Sequence, residues 1–224
     1  MAAAGRGERM GQPKQLLSLA GRPIAAWSLA ALAHAPSVNS IVIACEPEQR
    51  LAFQELAVTH GCDKVTYVVG GGATRQESVF AALRAMSTPS EIVVIHDGAR
   101  PFARSGLVEA VIKSAQRTGG AIAAIAVKDT IKQVDDAQVV DKTIARNRLW
   151  AAQTPQAFAY DVLYSAHERA QDDGFLGTDD AELVERLGSA SVAIVEGASD
   201  NLKITTPEDL VVAECLATRQ DARL

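Results

Sequence analysis

The chain has few cysteines and no long apolar run, and these two absences exclude several classes of protein. Its three cysteines, Cys45, Cys62 and Cys215, are far apart and form no C-x-x-C pair, which argues against a disulfide framework and against a zinc site. No segment approaches the ~20 apolar residues that a membrane span requires, and the first residues lack the layout of a signal peptide. We therefore expect free thiols, no membrane partner and a cytoplasmic location.

Basic residues are too few for a surface that holds a nucleic-acid polymer. The formal net charge is -5 and the sequence pI is about 5.4, whereas such a surface needs a broad basic face. A single nucleotide remains a suitable ligand, because a few local cations are enough to hold a triphosphate. The composition, 48% hydrophobic and 22% charged, is that of a globular protein, and the length of 224 residues favours one domain over residues 1–224.

Short β-branched runs alternate with longer helical patterns along most of the chain. Strands are predicted at 40–44, 64–69, 91–95, 121–127 and 191–196, and helices at 48–60, 74–86, 106–117, 159–171, 179–187 and 207–218. The strands are apolar on both faces, as in parallel sheets that lie between two layers of helices. The predicted fold is therefore a doubly wound, mostly parallel, Rossmann-like α/β sheet.

Two segments depart from this rhythm. Residues 128–156 alternate polar and apolar side chains around the turn-forming pair Asp135 and Asp136, which predicts a protruding β-arm. The chain also opens with a glycine-rich segment, although a phosphate-binding loop normally follows a strand that fixes it in place. We therefore expect the first strand of the sheet to be missing from the N-terminus.

The opening segment AAGRGERM has the composition of an anion-binding loop. Gly5 and Gly7 can adopt positive φ values that turn successive N–H groups toward one anion, and Arg9 and Lys14 supply positive charge. Neither a P-loop pattern nor a complete dinucleotide fingerprint is present, so both of those sites are unsupported. A flexible basic tail is the alternative interpretation of this segment.

Two further motifs stand at the ends of predicted strands. In GGATRQESV, Thr74 and Glu77 form a capping-box pattern, and Ser78 either supports that turn or reaches a nucleotide. In HDGARP, Asp97 is a hard oxygen ligand suited to Mg²⁺ on a triphosphate, and Arg100 could bind a phosphate. The structural alternative is an ion pair between Asp97 and Arg100, and His96 is more typical of a packed residue than of a base.

Several hydroxyls and cations occur in or after the predicted arm. Lys203 stands between apolar residues, as if its stem were buried and its ammonium directed inward. Each such residue alone is an ordinary surface or turn residue, but as a set they suit a phosphorylated polyol; they are Thr130, Arg146, Thr154 and Lys203.

The ordered motifs AAGRGERM, PKQ, GGATRQESV, HDGARP, DTIK, ARNRLW, TPQAF and DNLKIT resemble those of the 2-C-methyl-D-erythritol 4-phosphate cytidylyltransferases. This resemblance covers nearly the whole chain. It implies a nucleotidyltransferase that uses CTP, Mg²⁺ and a small phosphorylated polyol, and a homodimer whose arms interlock. It also implies that the family's first strand lies before this segment, so we expect the reading frame to start further upstream; a truncated product that folds poorly is the alternative.

The resemblance also implies roles for individual residues. The cytidine would be held by Ala3, Ala4, Gly5, Gly72 and Ser78, with Gly7 in the same loop, and the triphosphate by Arg9 and Lys14. Asp97 would bind the metal, and Arg100, Thr154 and Lys203 would line the site of the second substrate, with Lys203 also counted among the catalytic cations. Thr130 and Arg146 would reach across the dimer to its phosphate. Where some members carry an acidic residue, this chain has Ala73.

Three other functions stay open at this point. A ribitol 5-phosphate or other sugar-phosphate nucleotidyltransferase would use the same loops with a different alcohol. A non-catalytic CTP-binding module would bind the nucleotide without chemistry. A nicotinamide oxidoreductase is the weakest alternative, because Arg9 replaces the last glycine of that fingerprint.

Overall fold

A computed structural model describes residues 1–5, 7, 10–11, 13–86 and 90–221 of the chain. Its strands are β1 (Ala2–Ala3), β2 (Ser18–Leu19), β3 (Arg22–Pro23), β4 (Ile41–Cys45), β5 (Val65–Gly70), β6 (Ile92–Ile95), β7 (Gly119–Ala126), β8 (Ile131–Val134), β9 (Val140–Ile144), β10 (Trp150–Ala159) and β11 (Ser191–Glu196). Its α-helices are α1 (Ile24–Ala33), α2 (Arg50–Thr59), α3 (Arg75–Arg84), α4 (Ser105–Thr118), α5 (Tyr160–Asp172), α6 (Asp180–Leu187) and α7 (Pro207–Asp221).

The main strands form two ladders, β5-β4-β1 and β6-β10-β7-β11, which a parallel bridge between Ala2 and Asp97 joins at the centre. β1, β4 and β5 are parallel to one another, as are β7 and β11, whereas β10 is antiparallel to both of its neighbours. The mostly parallel α/β sheet predicted from the sequence is therefore confirmed.

Helices cover both faces of this sheet, as the alternation of side chains requires. One core cluster packs α1, α2 and α4 against the sheet and includes Phe53 and Val94, and another packs α3, α5 and α6 and includes Phe80 and Val93. Because Val93 and Val94 are neighbours on β6, their side chains point to opposite faces of the sheet and reach different clusters. This arrangement is the doubly wound architecture.

Two residues of a strand precede the glycine-rich loop, where the sequence led us to expect none. Ala2 and Ala3 themselves form a short central strand, although three alanines carry no strand pattern. The Ala2 N–H donates to the His96 carbonyl at 2.8 Å, and the Ala44 N–H donates to the Met1 carbonyl at 3.0 Å. Hydrogen bonds to neighbours on both sides therefore hold the start of the loop.

The boundary predicted for the β-arm also needs correction. β8 and β9 form a hairpin that, among the described strands, pairs only within itself, and most of its side chains are exposed. β10, however, continues to Ala159 and lies between β6 and β7, where Phe158 is fully buried. β10 therefore belongs to the central sheet from Trp150 onward and not to the arm. None of the described helices is long and apolar enough to cross a membrane.

Candidate active site

A pocket of about 340 Å³ opens at the carboxyl ends of β1 and β6. Ligands of doubly wound sheets bind at this edge, because the loops that follow the strands converge there. The pocket brings together the glycine-rich loop, the start of α3, the residue after β6 and the segment before α7. Its lining residues are Ala2, Ala4, Gly5, Gly7, Lys14, Gln15, Glu46, Ala73, Thr74, Arg75, Ser78, Asp97, Ala99, Lys203 and Thr205.

The glycine-rich loop forms one wall of this pocket. Gly7 has a φ of 67°, the left-handed conformation expected for it. Gly5 does not adopt a positive φ, so that expectation was wrong; its carbonyl accepts a hydrogen bond from Gln15 Nε2 at 3.2 Å. The Ala3 side chain packs in the core, and only the neighbouring Ala2 and Ala4 line the pocket.

The two cations assigned to the triphosphate differ in what the structure describes. Lys14 begins a short 3-10 helix, Lys14–Leu16, and lines the pocket with only 8% of its surface exposed. A lysine so deeply placed beside a glycine loop can deliver its charge to an anion inside the pocket. Arg9 lies outside the described residues.

The start of α3 forms another wall of the pocket. Thr74 is the N-cap, and its side chain accepts a hydrogen bond from the Glu77 N–H at 3.1 Å, which confirms the predicted cap. The Ser78 hydroxyl donates to the Thr74 carbonyl at 2.8 Å and accepts from the Gly72 N–H at 3.2 Å. Ser78 therefore fixes this turn, and it also lines the pocket.

Asp97 is the centre of charge of the site. Its Oδ1 lies 3.1 Å from Arg75 Nε, and its Oδ2 lies 2.7 Å from Lys203 Nζ and 3.8 Å from Arg100 Nε. Burial would raise the pKa of Asp97, but Arg75, Lys203 and Arg100 together lower it well below its ordinary value. The carboxylate is therefore ionised, and the predicted ion pair between Asp97 and Arg100 is present.

Thr154 and His96 lie directly behind Asp97. The Thr154 hydroxyl accepts a hydrogen bond from the Asp97 N–H at 3.0 Å, and it lies 3.0 Å from His96 Nδ1. His96 is fully buried, and burial lowers its pKa to about 4. The prediction that His96 is a packed, hydrogen-bonded residue is thereby confirmed. Arg100 donates to the Asn201 carbonyl at 2.7 Å, and neither Arg100 nor Thr154 lines the pocket itself.

Thr130 and Arg146 lie away from this pocket within the described chain. Both are exposed, and Arg146 begins a 3-10 helix between β9 and β10. The structure therefore brings together Lys14, Asp97 and Lys203 with the glycine loop, whereas the two arm residues stay outside that group.

Sequence reasoning assigned no role to Arg75 and Asp180. Arg75 lines the pocket and contacts Asp97, and its Nη1 also lies 2.8 Å from Asp180 Oδ2. The carboxylates of Asp180 and Asp97 raise the pKa of Arg75 above its ordinary value, although burial alone would lower it. The only signal in the sequence is that both residues stand at predicted helix starts.

The donor set of the pocket suits one kind of metal site. Among the described residues, no group of three or more His, Cys, Asp or Glu side chains could hold a metal ion. Mg²⁺ does not need such a cage, because it commonly takes one or two carboxylates together with phosphates and water. Asp97 supplies one ionised carboxylate, and Lys203 beside it is partly exposed and has room to turn away.

Comparison with known sequences points to one family. A family model described as 2-C-methyl-D-erythritol 4-phosphate cytidylyltransferase matches residues 1–219. A protein of that name from Pelotomaculum thermopropionicum is 44% identical over 227 residues, which cover 100% of this chain and 95% of the relative. Another, from Geobacillus thermodenitrificans, is 46% identical over 216 residues and covers 96% of this chain and 93% of the relative.

Solved structures agree with the sequence comparison. A crystal structure of 4-diphosphocytidyl-2C-methyl-D-erythritol synthase from Anaerococcus prevotii matches with a TM-score of 0.87 at 31% identity, covering 96% of this chain and 93% of that one. A 2-C-methyl-D-erythritol 4-phosphate cytidylyltransferase from Thermus thermophilus matches with a TM-score of 0.77 at 37% identity, covering 96% of both chains. This chain, a nucleotidyltransferase, therefore belongs to the family of the 2-C-methyl-D-erythritol 4-phosphate cytidylyltransferases.

Proposed function

We propose that this chain transfers the cytidylyl group of CTP to 2-C-methyl-D-erythritol 4-phosphate and releases pyrophosphate. The observation that carries the proposal is one pocket in which a glycine-rich loop faces Lys14, Lys203 and the ionised Asp97. Closely approaching backbone, cations and one hard oxygen ligand are the groups that a triphosphate with its metal requires. The family assignment supplies the identity of the two substrates.

The reaction is an in-line displacement at the α-phosphorus. A phosphate oxygen of the polyol forms a bond to that phosphorus, and the bond to the bridging oxygen of pyrophosphate breaks. The nucleophile is already an anion, so positioning and charge stabilisation dominate, and no general base is needed. His96 fits this view, because it is fully buried and both of its ring nitrogens face protein partners.

We assign the nucleotide to the walls formed by the glycine-rich loop and the start of α3. The N–H groups and small side chains of the loop allow close approach of the phosphates, and the rigid turn before α3 gives the base a fixed surface. The residues of this group are Ala3, Ala4, Gly5, Gly7, Gly72 and Ser78, with Lys14 and Arg9 as the cations for the triphosphate.

Asp97 is the residue that would hold Mg²⁺ or another divalent cation. When bound, such a cation neutralises charge on the phosphates and orients them for displacement. The surrounding residues keep Asp97 ionised and fix it in place from two sides, because Arg75 contacts one carboxylate oxygen and Thr154 binds its N–H.

The second substrate and the dimer complete the proposal. Lys203 faces the pocket directly. We place Arg100 and Thr154, which lie behind the pocket lining and contact Asp97, on the side of the site that receives the phosphorylated polyol. We further propose a homodimer in which Thr130 and Arg146 reach the partner's site. Support for the dimer comes from the large exposed apolar side chains of the arm region, namely Val134, Val139, Val140 and Trp150.

The cellular location is also a proposal. Cys45, Cys62 and Cys215 are all free, which suits the reducing cytoplasm. The proposed substrates are small phosphorylated molecules, so no membrane and no nucleic acid takes part in the reaction.

A substrate panel tests the proposed reaction. The purified chain is incubated with Mg²⁺, CTP and either 2-C-methyl-D-erythritol 4-phosphate or ribitol 5-phosphate, and pyrophosphate release and product mass are measured. We expect pyrophosphate and the CDP-linked alcohol with the methylerythritol compound only. Turnover with ribitol 5-phosphate alone, or CTP binding without pyrophosphate from either alcohol, contradicts the proposal.

A further inference from the structure

One guanidinium links the candidate active site to a carboxylate outside it. Arg75 uses Nε to contact Asp97 Oδ1 at 3.1 Å and Nη1 to contact Asp180 Oδ2 at 2.8 Å. Asp180 does not line the pocket, and its side chain is 1% exposed. Its negative charge therefore acts on the site through Arg75 and not by touching a ligand.

The Asp180 carboxylate is fixed from its other side as well. Asp180 Oδ1 lies 3.1 Å from Nε2 of His167, a residue on α5 that is itself buried. The imidazole stacks on Phe80 of α3, with ring centroids 5.4 Å apart and planes inclined by 19°. The row His167, Asp180, Arg75 and Asp97 therefore joins α5, α6 and α3 to the residue after β6.

Stability alone is a weak explanation for this row. Removing two carboxylates from water is costly, and buried ion pairs are often no more stabilising than apolar residues of similar size. What such a pair does supply is a fixed geometry, because the planar guanidinium has its nitrogens in a rigid fork. With Asp180 holding Nη1, the position of Nε beside Asp97 is also determined.

The position of Arg75 matters because this side chain has a competing attraction. Arg75 lines the pocket and is 28% exposed, so a bound triphosphate would draw its guanidinium away from Asp97. Loss of Arg75 would free Oδ1 and allow the Asp97 carboxylate to rotate. Oδ2, the oxygen that faces Lys203 at 2.7 Å, would then lose its fixed direction.

We infer that Asp180 is a positioning residue, which holds Arg75 against Asp97 and so keeps Asp97 Oδ2 directed into the pocket when nucleotide is bound. The inference rests on the proposed role of Asp97 as the metal ligand. Groups that orient a metal ligand typically change metal affinity or activity by about 10- to 100-fold when they are removed.

The main test uses the variant Asp180→Asn, in which the side chain keeps its shape but loses its negative charge. Mn²⁺ binding to the chain with CTP is measured by electron paramagnetic resonance, alongside the Mg²⁺ concentration for half-maximal rate. We expect the dissociation constant for Mn²⁺ and the Mg²⁺ concentration for half-maximal rate each to rise about tenfold. Asp173→Asn is the matched control, because Asp173 pairs with Arg169 and Arg186 nearby and is exposed. Thermal unfolding verifies that each variant folds.

A double-mutant cycle tests the route through Arg75. Arg75→Gln is combined with Asp180→Asn, and if Asp180 acts through Arg75, the double variant binds Mn²⁺ no more weakly than Arg75→Gln alone. If Asp180→Asn does not fold, Arg75→Lys replaces it, because an ammonium does not span both carboxylates, and we expect a similar loss.

Two results overturn the inference in different ways. If Asp180→Asn lowers the unfolding temperature but leaves Mn²⁺ binding and the Mg²⁺ dependence unchanged, the role of Asp180 is structural only. If Asp97→Asn leaves Mn²⁺ binding intact, the metal-ligand role of Asp97 itself fails, and the inference fails with it.

Discussion

The Thr154 hydroxyl oxygen lies 3.0 Å from the backbone nitrogen of Asp97 and 3.0 Å from His96 Nδ1. His96 Nε2 lies 3.2 Å from the Arg100 carbonyl oxygen, which can only accept. His96 therefore carries its proton on Nε2, so the Thr154 hydroxyl donates to Nδ1 and accepts from the Asp97 N–H. This chain of hydrogen bonds fixes the backbone at Asp97 without using any atom that faces the pocket.

Replacement of Thr154 by valine tests that chain. Thr154→Val keeps the shape but leaves the Asp97 N–H and His96 Nδ1 without partners, which costs about 1 to 3 kcal/mol for each buried group. We expect a lower unfolding temperature and a turnover reduced about tenfold or more, since Asp97 is no longer held. Thr154→Ser keeps the hydroxyl and serves as the control. Equal turnover in the valine and serine variants would contradict this role.

The buried His96 should make the stability of the fold depend on pH. Burial lowers its pKa to about 4 from an ordinary value of 6.5, so between these values the unfolded chain binds a proton that the folded chain does not. The contribution of His96 to the free energy of unfolding is therefore fully present above pH 6.5. It is lost as the pH is lowered toward 4, by at most about 3 kcal/mol. Urea unfolding from pH 7 to 4.5 measures the slope. The His96→Asn variant lacks this titrating group, so its unfolding free energy should change less with pH. If it changes as steeply as that of the unaltered chain, His96 is not the group responsible.

Lys14 and Arg9 carry the prediction for the triphosphate. Lys14→Ala and Arg9→Ala are each expected to lower turnover about 10² to 10³-fold with the fold intact, because each removes a cation that stabilises the developing charge. Steady-state pyrophosphate release gives the rate, and circular dichroism verifies the fold. Lys113→Ala, on the exposed surface of α4, is the matched control. A Lys14 or Arg9 variant as active as Lys113→Ala would remove that residue from the mechanism.

The sequence predicted most of the sheet because its strands are buried on both faces and read as continuous apolar runs. β10 was harder, since Pro155 argues against a central strand. The chain accommodates this proline where the pairing register between β10 and β7 shifts, between Ala152 and Gln156. α1 was not predicted, because nearly all of its residues are apolar and buried, so the helix has no polar face to mark its period.

The site was predictable only as far as local patterns extend. The cap at Thr74 and the glycine at position 7 depend on neighbours in sequence, and both were found. The contact between Arg75 and Asp180 joins residues more than one hundred positions apart on two different helices. No spacing rule along the chain reports such a pair, because only the packing of α3 against α5 and α6 brings it together.

If the arm forms the proposed dimer interface, a single charged residue placed on it should weaken the dimer. Val140 on β9 is exposed, and an aspartate there would have to be buried at the proposed dimer interface. We expect Val140→Asp to shift the molar mass, measured by light scattering after size exclusion, from dimer toward monomer. Val212→Asp on α7 is the matched control, because Val212 is also an exposed apolar residue. If the unaltered chain is monomeric at micromolar concentration, the interlocking of arms is wrong.

Beside Met1, a cavity of about 260 Å³ separates β4 from β6. Its walls include Val42 and Val94. Along a strand, the N–H and C=O groups of successive residues point alternately to the two neighbouring strands. The backbone groups of Val94 therefore point to the same side of β6 as the His96 carbonyl, which accepts the hydrogen bond from Ala2. The Met1 amino group is buried here, where it donates to the Val42 carbonyl at 2.7 Å. Burial lowers the pKa of this amino group to about 5. The space thus has the form of a strand position with an amine at its inner end.

An engineered extension of three β-branched residues, Val-Ile-Val, placed before Met1 should fill this space. It would replace the buried amine by a peptide bond and pair with both walls. Each buried side chain contributes about 1.5 to 3 kcal/mol, offset by about 1.5 kcal/mol for ordering each residue. For three residues these terms leave a net gain between about zero and about 4.5 kcal/mol, and we expect about 2 kcal/mol, measured by urea unfolding at pH 7. A Gly-Ser-Gly extension is the control, since it also replaces the buried amine by a peptide bond but supplies no apolar surface. Equal stability of the two extended chains would show that the space does not accept a strand.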